Sequence, residues 1–237
     1  MLFRSTKEND YLFISDNSKS FMWAGNLIKS DIRKSNFVLD VIDKRRIQYY
    51  GIAKWILANP EKPIPSDIVL IDINSAYPTT LLNSGAITPE TFARLQSIPK
   101  LARLKSIGAL ATNKVRFEYH DGKLTSFRLL EGKEKWMEAY YYYCALKVGE
   151  TIFDLSQIYP EHFLFFWFDG IYFTPDVNEN IVQIVLKNNG YGSKVQRLHD
   201  CEVVTLKNTL YFGYKKEGED KKHYFHIPIK EKMNFLV

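Results

Sequence analysis

The apolar positions of this chain change period along its length. Ile68-Val-Leu-Ile-Asp-Ile73 and Phe163 to Phe168 are near-continuous aliphatic or aromatic runs, the pattern of strands covered on both faces. Ile171-Tyr-Phe173 follows Asp169-Gly170 and reads as the return strand of the second run. Residues 131–158 carry Trp136, Tyr140, Tyr143, Cys144, Val148 and Ile152 at helix-compatible intervals, the longest helical pattern in the chain. Thr88-Pro89-Glu90 is a helix start, with a capping threonine and a proline in the first turn. Residues 90–108 read as two helical pieces broken before Pro99.

Shorter signals fill the gaps. Residues 9–14 read as a strand, 20–29 and 46–58 as helical or mixed stretches, and Asn59 to Pro65, with three prolines, as an irregular connector. Ser75 to Pro78 reads as a turn, followed by a short helix over Thr79 to Ser84 that Gly85 closes. Residues 115–119 and 123–130 flank His120-Asp121-Gly122 as a hairpin. Residues 180–186 are helical, and 203–214 and 224–229 alternate as strands. The sum is a mixed α+β fold.

Composition narrows the class. With 46% hydrophobic and 15% aromatic residues, the 237-residue chain has ample apolar surface for a core, which excludes disorder as its main state. No apolar run approaches the length of a membrane span, and the charged stretch from Met1 to Asp10 lacks the core of a signal peptide. Cys144 and Cys201 form neither a metal cluster nor a disulfide framework, so a reducing cytoplasm is expected. The net charge of +5 permits a nucleic-acid partner without demanding one. Basic residues gather at Lys44 to Arg46, Lys100 to Lys114 and Lys215 to His223, and they serve equally as solvated surface.

Two carboxylates stand out. Asp72 and Asp169 each lie at the end of a strongly apolar strand, where a charge needs solvent, a partner or a cation. Converging from neighbouring strands they would repel, and a hard divalent cation relieves that repulsion. An aspartate at a strand-to-turn junction also serves simply as a turn former. There is no Gly-rich phosphate loop, no Gly-x-Ser-x-Gly elbow and no His-Glu-x-x-His. The run Tyr140 to Tyr143 wraps around a helix, which makes it packing and partner surface with base stacking as an option.

Asp72-Ile-Asn-Ser-Ala-Tyr-Pro-Thr79 resembles the first palm motif of family B DNA polymerases, Asp-x-x-Ser-Leu-Tyr-Pro-Ser. Phe165-Phe-Trp-Phe-Asp169-Gly-Ile-Tyr-Phe173 resembles the third motif, Tyr-x-Asp-Thr-Asp-Ser; the second aspartate aligns with Asp169, Trp167 replaces the first, and Gly170 replaces the serine. Lys100-Leu-Ala-Arg-Leu-Lys-Ser-Ile-Gly108 keeps the lysine and glycine of the fingers motif and loses its Asn, Ser and Tyr. Leu206-Lys-Asn-Thr-Leu-Tyr-Phe-Gly-Tyr-Lys-Lys216 is similar to the strand after the palm in protein-primed phage and plasmid replicases. The resemblance covers roughly residues 66–216.

The resemblance implies an antiparallel palm-like sheet backed by helices, with a short helical fingers remnant at about 86–114. The chain would divide into an N-terminal α/β extension (1–65), a palm (66–214) and a C-terminal basic hairpin or tail (215–237). With so short a stretch before Asp72, and no Asp-x-Glu pair in it, the resemblance implies a reduced polymerase without an exonuclease domain. Asp72, the Ile73 carbonyl and Asp169 would hold Mg²⁺ or Mn²⁺. Ser75, Ala76 and Tyr77 would face the triphosphate, with the Tyr77 ring beneath the sugar, and Lys100 and Arg103 would assist. Lys207, Tyr211 and Lys215 would follow primer or template phosphates. The implied partners are a DNA template-primer, dNTPs and a protein primer or other replication proteins, with no membrane. Two alternatives remain: a polymerase-derived module that has lost catalysis and binds nucleic acid or a replication protein, and an unrelated α+β protein.

Overall fold

The computed structural model describes residues 2–5, 11–14, 18–40, 42–58, 63–111, 114–121, 123–130, 135–206 and 209–228. Contacts cluster in two compact units that interleave along the chain: Met1–Lys44 with Tyr77–Cys144, and Arg45–Ala76 with Ala145–Val237. Among the described residues no helix is long and apolar enough to cross a membrane.

In the first unit, strands β1 (Leu2–Ser5) and β2 (Tyr11–Ile14) pair antiparallel and precede helix α1 (Ser18–Lys34). Later in the chain come α3 (Ala76–Asn83), α4 (Pro89–Gln96), α5 (Lys100–Gly108) and the hairpin of β5 (Lys114–His120) and β6 (Lys123–Leu130); α2 belongs to the other unit. The expected hairpin is present, with Asp121 at φ +49°; Gly122 lies outside the described residues. Helix α1 packs on α4 and α5, and Ile28, Ile32, Leu81, Leu95, Ile107 and Tyr140 share one buried cluster. The Thr88 cap forms as its sequence suggests, accepting the Thr91 N–H at 3.2 Å. Asp31 of α1 in turn accepts the Thr88 N–H and hydroxyl, both at 2.9 Å, tying the two helices at that cap.

In the second unit, β3 (Tyr50–Ile52), α2 (Lys54–Ala58) and β4 (Ile68–Ile73) precede the long helix α6 (Glu138–Ile158), whose second half, from Ala145, falls here. Then follow β7 (Phe163–Trp167), β8 (Gly170–Phe173), α7 (Glu179–Asn188), β9 (Ser193–Leu206), β10 (Thr209–Lys216) and β11 (His223–Pro228). One seven-stranded sheet results, in the order β11-β10-β9-β4-β8-β7-β3, with every neighbouring pair antiparallel. The mixed α+β architecture is as the sequence suggests.

Within the sheet, β4, β7, β8 and β9 follow a β-α-β-β-α-β order, with α6 before the β7–β8 hairpin and α7 after it. The sheet curls into a half-barrel. Strand β9 bends at Asp200, where φ is +51°, and its partner β10 has a register shift between Gly213 and Lys215. An irregularity of this kind bends a strand pair and raises its twist. The curl carries β11 back over β7, so the Phe225 ring sits 5.5 Å from that of Trp167. Its interior is aromatic: Phe165 stacks on Tyr172 at 4.3 Å, and Phe212 meets Phe165 at 4.7 Å and Phe225 at 5.1 Å.

Residues 46–58 are mixed, as expected: a short strand, in which Tyr50, Gly51 and Ile52 extend the sheet edge beside β7, and a short helix. Two local expectations need correcting. The turn after β4 is Asn74–Ser75, and α3 starts at Ala76; Pro78 is tolerated in its first turn, where no backbone donor is needed. Strand β9 begins ten residues before the expected 203, its polar first half being recruited by pairing with β4.

Candidate active site

Strand β4 is central, with β8 on one side and β9 on the other. Along it, Asp72 is the Cα partner of Gly170 on β8 and of Lys194 on β9. Asp169 directly precedes Gly170, in the two-residue turn Phe168-Asp169, and its carbonyl accepts the Ile73 N–H at 3.0 Å. Residues 97 positions apart are thus brought to one end of two paired strands.

Two of the four non-glycine residues with positive φ among the described residues lie at this end. Phe168 has φ +53° and Ser75 has φ +49°, a region that bulky side chains rarely adopt. The Phe168 N–H donates to the Tyr49 carbonyl at 2.7 Å, and its ring lies 5.4 Å from Trp167 and 5.7 Å from Tyr49. On the other side, the Asn74 N–H donates to the Gly192 carbonyl at 2.8 Å, fastening the turn after β4 to the entry of β9. A Cβ on Gly170 would lie 3.1 Å from Leu70 Cδ1, so glycine there lets β8 approach β4.

The Asp72 side chain is 19% exposed, and its Oδ2 lies 3.3 Å from the Lys194 ammonium. Asp169 is half-buried. Both carboxylates act on one nearby group: burial first, and then Tyr214, Asp72 and Asp169, push the Tyr172 phenol far above its ordinary pKa. Tyr172 therefore stays protonated, a neutral hydroxyl beside two acids.

Among the described residues no group of three or more His, Cys, Asp and Glu side chains gathers as a metal site. The two carboxylates nevertheless fit a hard divalent ion, which needs only one or two of them when substrate phosphates complete its shell. The ammonium held on Asp72 is a direct sign that this carboxylate takes a positive partner.

No family model and no curated protein matches the chain.

The remaining candidates are placed as follows. Ile73 is buried, and Ala76 and Tyr77 are the first two residues of α3, the end of a helix that favours anions. Within the first unit, the Tyr77 ring packs edge-on against Tyr141 at 5.5 Å. Lys100 is exposed at the start of α5. Arg103 is half-buried; it donates to the Leu95 carbonyl at 3.3 Å and to Gln96 Oε1 at 2.9 Å, bracing the end of α4, and burial lowers its pKa. In the second unit, Tyr211 is partly exposed with its ring 6.3 Å from His226, and Lys215 pairs with Asp200 at 2.7 Å beside the bend of β9. Lys207 lies outside the described residues.

Trp167, which the resemblance sets in place of an acid, stacks on Tyr50 at 5.6 Å and packs on Phe225. Lys194 and Tyr172 escaped the sequence reading. Nothing marks a lysine as the partner of an acid 122 positions earlier until the β4–β9 register is known.

Proposed function

We propose that the chain is a minimal family B-type, template-directed DNA polymerase, taking a primed DNA template and dNTPs. The observation that carries this reading is the pairing of Asp72 with Gly170, next to Asp169, within a β-α-β-β-α-β strand order. That order gives the first-motif acid and the third-motif hairpin a common end of one antiparallel sheet, which is what a palm requires.

In this reading the Asp72 and Asp169 carboxylates would hold the divalent ion beside the primer hydroxyl, or the hydroxyl of a protein primer, that meets the incoming nucleotide. Magnesium or manganese, when bound, supplies charge neutralisation for the transferred group and acidifies that hydroxyl. The amides at Ser75, Ala76 and Tyr77 favour a polyphosphate through the start of α3. The resemblance assigns the sugar to Tyr77, triphosphate charge to Lys100 and Arg103, and strand phosphates to Lys207, Tyr211 and Lys215. Tyr172, kept protonated chiefly by burial, adds no negative charge to that of the two acids.

A second reading draws support from Trp167 and Lys194. An aromatic ring in place of an acid and an ammonium on Asp72 suit a palm that has lost catalysis and holds nucleic acid or a replication protein. Extension of a labelled primer with Mg²⁺ or Mn²⁺ separates the two. Activity that falls at least about 10²–10³-fold in Asp72→Ala and Asp169→Ala supports the polymerase. Absent extension with DNA binding retained supports the module. Absent extension and absent binding remove the polymerase and the nucleic-acid-binding form of the module.

A further inference from the structure

We propose that Lys194 is a built-in competitor for the cation at Asp72, occupying the carboxylate in the free protein and yielding it when a divalent ion binds. The inference rests on the reading of Asp72 and Asp169 as a cation site and concerns what regulates its loading.

Three observations converge on it. First, the Lys194 ammonium reaches Asp72 Oδ2 at 3.3 Å from the strand opposite to the one that follows Asp169. The acid is therefore contacted by a positive charge from one flank, while on the other flank the backbone of Asp169 is hydrogen-bonded to the next residue, Ile73. Second, the two partners differ in freedom. Asp72 is fixed in a strand paired on both sides, whereas the Lys194 side chain is 51% exposed on a flexible four-carbon stem. When a doubly charged ion arrives at the carboxylates, like charges cannot share Oδ2, and the lysine is the group that can leave. Third, an ammonium makes a point contact here and lacks the planar fork that would clamp the carboxylate. With its ammonium half in solvent, the lysine can exchange this point contact for water and leave the carboxylate. The site then discriminates by charge: a monovalent ion gains little over the lysine it displaces, and a divalent one gains more.

The test is Mn²⁺ binding to the full chain, followed by the electron paramagnetic resonance signal of the free ion, without nucleotide or DNA. Lys194→Met should bind Mn²⁺ about three- to tenfold more tightly than the unmodified protein. Lys194→Gln, which keeps a polar stem should the methionine perturb the strand, should shift the same way. Adding Asp72→Asn to either variant should erase the gain. Unchanged or weaker binding in both lysine variants, with Asp72→Asn still lowering affinity, overturns the competitor role and leaves the carboxylate site standing. Mn²⁺ binding absent from every variant overturns the site and the competitor together.

Discussion

Asp72 and Asp169 lie at one end of two paired strands, yet they are held by different devices. Asp72 belongs to a regular strand with a partner on each side, and its position follows from the register of β4 with β8 and β9. Asp169 belongs to a two-residue turn whose first residue, Phe168, has φ +53°, and backbone hydrogen bonds tie that turn to Tyr49 and to Ile73. Long-range pairing places the first acid; local strain and an aromatic brace place the second. The first should therefore be sensitive to whatever moves whole strands, and the second to the backbone of a single turn.

The strand-borne device breaks most completely from inside the half-barrel. Phe212 is 1% exposed and touches Phe165, Tyr172 and Phe225, so it supports β7 and β8 without contacting either acid. Phe212→Ala should cost about 3–5 kcal/mol of stability, read as a lowered urea midpoint. A loss below 1 kcal/mol would mean the curled sheet does not depend on its aromatic interior. A smaller effect should come from the join between the two acids. Gly170→Val adds branches where even a Cβ would lie 3.1 Å from Leu70 Cδ1, and should cost about 1–3 kcal/mol. Gly170→Ala should stay within about 1 kcal/mol, because the atom it meets is the free end of the half-buried Leu70 side chain. Equal effects for alanine and valine would show that β8 does not press against β4 there.

The same contrast explains what could be read from the sequence. The apolar run around Asp72 is contiguous, so the strand and its acid are visible in six residues, whereas the turn expected at Ser75 to Pro78 falls at Asn74–Ser75. The capped start of α4, the break at Pro99 and the hairpin after Phe163 are visible for the same reason: each depends on neighbours along the chain. What was hidden depends on distant pairing. The strand Tyr50–Ile52 is too short to show a period and exists as an edge beside β7. The first half of β9 shows no clean alternation, and only its pairing with β4 makes Lys194 a neighbour of Asp72. The interleaving of the two units is likewise absent from any local pattern, since each is built from separated segments. For the site, the two acids were legible and their company was not. Trp167 reads as the loss of an acid, while in three dimensions it is a packed ring stacked on Tyr50.

The finest distinction between the two devices is one of backbone, and paired substitutions isolate it. Phe168→Ala and Phe168→Gly both delete the ring that lies against Trp167 and Tyr49, so their difference reports the φ of +53° alone. The left-handed region costs an L-residue about 1–2 kcal/mol, and glycine gives back about 0.5–1 kcal/mol through its freer unfolded chain. Phe168→Gly should therefore be the more stable of the pair by about 0.5–1 kcal/mol in urea unfolding. On the other flank of Asp72, Lys194→Ala and Lys194→Gly both delete the ammonium from an extended strand, where glycine has no such advantage. There the order should invert, with glycine the less stable by about 0.5–1 kcal/mol. Glycine losing to alanine at both positions would place Phe168 in ordinary backbone and leave the two acids held by one device.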